Sequence, residues 1–344
     1  MKKHALFISG EGGYSAYRIP AVITLPDNRV IAFCEGRLGG LGDSGTIHIV
    51  ARISRDGGCT WGEQRLVAAD GENTVGNPCP VYDRDTGELH LLLNGNLKEG
   101  GEPEILQGKA PRTVLYTHSM DGGETWAPLR DLTAAVKKPN WTWYAMGPGH
   151  AQQLSDGRIL IPCNHALLPG EENSGCYISH AIYSDDHGKT WNIGADVGQY
   201  TNECSLAQLL DGRIYMNMRS YHGEGCRAVA YSADRGESWG AIRLEHALPD
   251  PVCQGSVLAA GDRLLFTNAA DSRQRVCLTL RTSADAGETW STGVTIHQGP
   301  AAYSDVTVLP DGRVGCLYEC GDSEARYAAY ERIEWAVLDA DEVK

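Results

Sequence analysis

Short apolar runs separated by tight polar turns alternate along the whole chain, and no apolar repeat of helical period lasts long enough to compete with them. The run SLAQLL, the turn Asp211-Gly212-Arg213 and the run IYMNM give the pattern in its plainest form, two strands joined by a turn suited to glycine. Comparable turns stand at Asp27-Asn28-Arg29, Asp85-Thr86-Gly87, Asp156-Gly157-Arg158, Gly261-Asp262-Arg263 and Asp311-Gly312-Arg313, so six hairpins are predicted.

A second series runs in step with the first. SRDGGCTW at residue 54 returns as SMDGGETW at 119, SDDHGKTW at 184, SADRGESW at 232 and SADAGETW at 283, at spacings of 65, 65, 48 and 51 residues. In each box the Ser and Asp side chains suit capping of nearby backbone donors, and Gly supplies a conformation that other residues resist. Five of the eight tryptophans, Trp61, Trp126, Trp191, Trp239 and Trp290, close these boxes, a regularity that favours packing over ligand binding. Hairpins and boxes together divide the chain into six sheets of about four strands each, and radial closure of such units gives an all-β, six-bladed β-propeller. One domain over residues 1–344 is expected. The last sheet lacks a box and ends in YERIEWAVLDAD, so a strand near His4 to Ser9 is expected to complete it and lock the ring.

Composition narrows the function classes. A net charge of -14 argues against nucleic acid and anionic membrane surfaces as partners, and an anionic ligand would need a local cluster of arginines working against the global field. No apolar run approaches the length of a membrane span. In the opening MKKHALFISG only Ala5 to Ile8 is apolar, shorter than the roughly 7 residues of a signal-peptide core, so a cytoplasmic location is expected. The eleven scattered cysteines contain no Cys-x-x-Cys pair and read as buried thiols.

Hairpin register then locates the unusual residues, because positions equally far before and after a turn lie side by side at the open end of the two strands. Glu203 stands eight before Asp211 and Arg219 eight after it; Tyr303 stands eight before Asp311 and Glu319 eight after. In the first hairpin Arg18 lies nine before Asp27, with Glu35 and Arg37 eight and ten after. These groups are thereby sent to one rim, opposite the turns and boxes. A single surface arginine in an acidic protein usually pairs with Asp or Glu, but several guanidiniums at equivalent strand ends suit a carboxylate, which each can grip by charge-assisted hydrogen bonds.

YRIP at 17–20, the five boxes, EGRLGGLGDSG, NECSLAQLLDGRIYMNMR and AYSDVTVLPDGRVGCLYE together resemble the exo-α-sialidase (neuraminidase) family over nearly the whole chain. The resemblance implies a carboxylate-binding arginine triad in which Arg18 is the first member and Arg219 the second. The third falls in DSRQRVCLTLR, where Arg275 fits Arg-x-x-Leu best, Arg273 is its rival and Arg281 reads as a strand residue. By the same resemblance Arg37 lines the pocket beside the sugar's C4, Asp43 in the Gly-rich loop is the acid/base, Tyr303 the nucleophile, Glu203 its base partner and Glu319 the acid that braces Arg18. A tyrosine nucleophile is the established departure of sialidases from the paired-carboxylate rule. Its logic is electrostatic: a carboxylate nucleophile would be repelled by a substrate that carries its own carboxylate at the reacting carbon. The implied activity is retaining hydrolysis of terminal sialic acid, or a related nonulosonic acid such as Kdn, from glycans or small sialosides, without metal or organic cofactor. A non-catalytic propeller that binds acidic glycans is the alternative. Trp141, Trp143 and Tyr144 are expected to form either an aromatic wall for the sugar or a packed loop, and His150 and His165 to be structural or solvent-facing.

Overall fold

A computed structural model describes residues 1–343. Six antiparallel sheets, here called blades, follow one another in chain order. Blade one comprises Ala16–Thr24, Val30–Arg37, Ile47–Ser54 and Arg65–Ala68; blade two comprises Thr74–Tyr82, Leu89–Asn96, Arg112–Ser119 and Arg130–Asp131. Blade three is built on Ile159–Leu167, flanked inside by Trp141–Met146 and Gln152–Gln153 and outside by Tyr177–Ser184 and Asn192–Ile193. Blade four contains Thr201–Gln208, Ile214–Ser220, Cys226–Ser232 and Arg243–Pro249. Blade five contains Gly255–Ala260, Arg263–Ala269 and Val276–Ser283.

The long strand Val294–Val308 serves two blades. Its first part pairs with Val276–Ser283 at the outer edge of blade five, and from Ala301 onward it pairs with Val314–Cys320 as the innermost strand of blade six. Arg332–Leu338 follows, and Lys2–Ile8 from the other end of the chain adds the outermost strand. The sequence placed this closing strand within two residues of its observed start.

Inner strands of successive blades touch, and Ala16–Thr24 of blade one meets Val294–Val308 of blade six, so the blades run round a common axis. The buried Asp305 carboxylate sits among them: it accepts hydrogen bonds from Val22 N at 2.8 Å, His150 N at 3.0 Å and Ser256 Oγ at 2.7 Å, and His150 Nδ1 lies 2.7 Å away. His150 is thus a buried tie between blades three and six. Second strands such as Val30–Arg37 and Leu89–Asn96 are buried along their whole length, because neighbouring blades cover both faces.

The boxes staple each blade to the one before it. In the first, Ser54 Oγ accepts from Gly58 N at 2.8 Å and Asp56 accepts from Thr60 N at 2.8 Å and Thr60 Oγ1 at 2.6 Å. The tryptophan then projects across the blade boundary: Trp61 packs edge-on to Trp335, Trp126 to Phe33, and Trp191 leans on Tyr116. Trp335 Nε1 also donates to Gly58 O of the facing box, joining blades six and one. Apolar seams between blades replace one central core.

Candidate active site

The rim opposite the hairpin turns and boxes opens on a cavity of about 190 Å³ at the axis, lined by residues of all six blades or of the loops between them. Strand pairing becomes irregular where inner strands reach it, between Arg18 and Ala21, Gly76 and Cys79, Thr201 and Cys204, and Ala301 and Ser304. Such bulges re-aim side chains. At the first, Ile19 is held at φ +60°, a costly conformation for a β-branched residue, and it delivers Arg18 into the pocket.

Arg18, Arg219 and Arg275 all line this cavity, from blades one, four and five. Arg18 is buried and gripped by Glu319 of blade six: its Nε donates to Oε1 at 3.0 Å and its Nη2 to Oε2 at 3.2 Å. Arg275 donates to Tyr330 Oη at 2.7 Å and to Val252 O at 3.3 Å. Arg219 Nη1 donates to Glu203 Oε2 at 2.8 Å and reaches Tyr303 Oη at 3.3 Å, while its Nε is buried without a partner. Arg273, the rival third arginine, is exposed and lies off the pocket lining.

Tyr303 stands among the three guanidiniums. Those of Arg18 and Arg275 lie 4.9 and 5.6 Å from its ring centre, and its hydroxyl donates to Glu203 Oε1 at 2.6 Å. Burial, reinforced by the Glu203 charge, pushes the phenol well above its ordinary value, against the pull of Arg219, Arg275 and Arg18. It is therefore protonated at rest, with a carboxylate in place to take its proton. Glu319 Oε2 accepts from Tyr303 N at 3.1 Å, so one acid anchors both Arg18 and the backbone of Tyr303.

Asp43 sits over the cavity on the loop after Val30–Arg37. Its carboxylate lies 2.8 Å from Arg37 Nη1 and 3.8 Å from Arg18 Nη1, and Arg37 also binds the loop carbonyls of Leu41 and Gly42. Partial burial works against the Asp43 charge, but Arg37 and Arg18 outweigh it and hold the carboxyl below the usual carboxylate range. Arg37 is in turn fixed by Glu35 at 2.5 Å.

Several lining or supporting residues escaped the sequence reading, among them Arg112, Tyr221 and Tyr330. Arg112, at the rim end of its strand, is 4% exposed and bonded to neutral acceptors, Tyr144 O, Asn96 Oδ1 and Asn77 Oδ1, at 2.6 to 2.9 Å. Burial pushes its guanidinium down to about 10, offset only in part by Glu35, Glu102 and Asp43. Counting seven residues back from the box serine Ser119 reaches it, so a rim position was readable. Tyr330, from the short turn Ala328–Tyr330, lies beneath Arg18 at 4.2 Å and also bonds Arg275. Tyr221 lines the pocket beside Arg219.

Of the three aromatic candidates, only Trp143 lines the cavity, where it stacks 4.4 Å from the Arg112 guanidinium. Trp141 stacks on the buried His165 at 3.7 Å and Tyr144 is wholly buried, because bulged pairing after Trp141 turns these residues into the blade. Of the four acids that line the pocket, Glu35, Asp43 and Glu203 are each engaged by arginine, while Glu102 accepts a hydrogen bond from Tyr177 Oη. The two clusters of metal-ligating side chains among the described residues, Asp83–Asp85–His187 and His297–Cys320–Glu334, lie outside the pocket lining.

Fold and site together define a β-propeller with a cationic, axial pocket that presents a phenol paired to a carboxylate. The sequence matches the BNR repeat-like domain family over residues 28–316. It is 34% identical to a sialidase of Micromonospora viridifaciens over 94% of this chain and 53% of that protein, so the chain spans about half of that relative's length. It is 31% identical to an exo-α-sialidase of Aspergillus fumigatus, over 89% of this chain and 79% of that protein. Among solved structures, a Hadza microbial sialidase superposes with a TM-score of 0.89 at 24% identity, over 99% of this chain and 69% of that one. A leech intramolecular trans-sialidase superposes with a TM-score of 0.84 at 18% identity, over 100% and 71% of the two chains. The chain belongs to the exo-α-sialidase family of BNR-repeat glycoside hydrolases.

Proposed function

We propose that the chain is a retaining exo-sialidase that cleaves terminal α-linked sialic acid, or a related nonulosonic acid such as Kdn, through a tyrosyl-enzyme intermediate. The observation that carries this reading is the 2.6 Å contact between Tyr303 Oη and Glu203 Oε1 inside a ring of three arginines.

Arg18, Arg219 and Arg275 bind the substrate carboxylate, and the buried, unpartnered Arg219 Nε supports this by offering a donor that needs an acceptor. Tyr303 Oη attacks the anomeric carbon as the bond to the leaving oxygen breaks. Glu203 takes the phenol proton and Asp43 gives its own to the leaving group. In the second step Asp43 takes a proton from water, whose oxygen displaces Tyr303, and Glu203 returns the first proton to the phenolate. Asp43 is held ionised in the free pocket by Arg37 and Arg18. A bound substrate carboxylate, by neutralising Arg18, raises the Asp43 pKa toward the value a proton donor requires.

Proton NMR of the first-formed product from an aryl α-sialoside tests the proposal. The α-anomer is expected; initial appearance of the β-anomer overturns retention, and saturable binding without product overturns catalysis.

A further inference from the structure

The three guanidiniums that face the pocket are not held alike. Arg18 is paired with Glu319 and Arg219 with Glu203, whereas no acid among the described residues forms a salt bridge with Arg275. Arg275 Nη1 donates instead to Tyr330 Oη at 2.7 Å and Nη2 to Val252 O at 3.3 Å, both neutral acceptors. A guanidinium carries five N–H donors, so most of those on Arg275 remain for a ligand.

Tyr330 does not line the cavity, yet it touches two of these three arginines. Besides bonding Arg275, it places its ring centre 4.2 Å from the Arg18 guanidinium. A cation over an aromatic face is held without using up its edge donors. Burial raises the pKa of the Tyr330 phenol against the pull of Arg18 and Arg275, so this partner brings no charge of its own. The turn that presents it is fastened from two sides. Ala329 is buried in one apolar cluster with Ile19, Cys253, Ala302 and Tyr303, and Tyr330 packs against that cluster. Ser9, just past the closing strand Lys2–Ile8, donates from N to Glu331 O at 3.0 Å and from Oγ to Tyr330 O at 2.8 Å.

We propose that Tyr330 is a positioning residue for the carboxylate site: one aromatic ring sets the directions of both Arg18 and Arg275, and as a neutral partner it leaves the Arg275 charge free to meet the substrate. An acid in its place would orient Arg275 equally well, but would already satisfy the charge that a substrate carboxylate is to meet. Arg275 is accordingly the triad member whose attraction for the carboxylate is least offset within the protein. The inference rests on the pocket's reading as a site for a sugar acid.

Tyr330→Phe tests it, since the ring stays under Arg18 and only the hydroxyl is lost. On an aryl sialoside KM is expected to rise about tenfold with kcat nearly unchanged, the pattern of binding lost equally from ground and transition states. Calorimetric dissociation constants of a 2,3-unsaturated sialic acid and of its C1 amide separate lost orientation from a general loosening of the fold. The wild-type preference for the acid over the amide is expected to shrink about tenfold in the variant. A preference that Tyr330→Phe leaves unchanged, with both ligands weakened alike or neither affected, overturns the inference. A wild-type chain that shows the preference but releases no product from the sialoside overturns the hydrolase reading alone, and the ratio of dissociation constants still decides the role of Tyr330.

Discussion

Tyr303 and Glu203 are 100 positions apart in the chain, yet the phenol of one donates to the carboxylate of the other at 2.6 Å. Blade six supplies the first and blade four the second, and Arg219 bridges them through Nη1. On the proposed mechanism this hydrogen bond sets where the phenol proton goes. Glu203→Gln is accordingly expected to lower kcat by roughly 10²–10⁴-fold while KM moves little, since proton transfer is removed and the arginines remain. Tyr303→Phe is expected to fall at least as far. Steady-state kinetics on an aryl sialoside decides it, and near-normal kcat in either variant removes that residue from the chemistry.

Glu319 has a different job. It is completely buried and holds Arg18, Ile19 N and Tyr303 N together. Glu319→Gln leaves a buried guanidinium without its counter-charge, so the variant is expected to lose about 3–5 kcal/mol of stability in urea unfolding and to show a raised KM.

On the proposed mechanism, the alkaline limb of the pH profile reports on Asp43. Arg37 is the foremost of the groups that depress its pKa, ahead of Arg18. A proton donor works below its pKa, and removing Arg37 raises that pKa. Arg37→Ala is therefore expected to shift the alkaline limb of kcat/KM to higher pH, whatever it does to the maximum. A limb that stays in place or moves down assigns the titration to another group.

The boxes are expected to contribute to acid sensitivity. Hydrogen bonds from Thr60 and Thr125 hold Asp56 and Asp121 at about 2 in the folded protein, against about 3.9 for an unfolded aspartate. A depressed folded pKa gives stability that is present above the unfolded value and lost as pH falls through the folded one. Melting temperature is expected to drop between about pH 4 and pH 2, and Asp56→Asn to flatten part of that slope.

Close packing at the last seam gives a steric prediction. A Cβ built on Gly315 would stand 1.9 Å from the Trp335 ring, the ring that packs against Trp61 and bonds Gly58. Gly315→Ala is expected to cost about 1–3 kcal/mol, read by chemical denaturation, with KM unchanged because the seam lies away from the pocket.

The rim was legible because short turns of three residues fix register. Cys204 faces Met218 and Ser304 faces Tyr318 in the counting that runs outward from Asp211 and Asp311, and the irregular pairing begins only beyond them. Glu203 beside Arg219 and Tyr303 beside Glu319 follow from that counting. Contacts between blades do not: the grip of Glu319 on Arg18 spans 301 positions and obeys no local period. Tyr330 was invisible for a related reason, since it lies on an irregular turn between Cys320 and Arg332 where no alternation exists to count. The stapling by the boxes is likewise non-local, since Trp61, Trp126 and Trp191 each reach into the preceding blade.

The strand Lys2–Ile8 has no sheet to join until Arg332–Leu338 exists. A nascent chain emerging from the ribosome can thus complete five sheets in order while its first strand waits, unpaired, for the last to be translated. Tyr303 and Glu319 arrive just as late. Closure of the ring consequently waits for its sixth blade, and until then the leading strand presents an unpaired edge open to another chain.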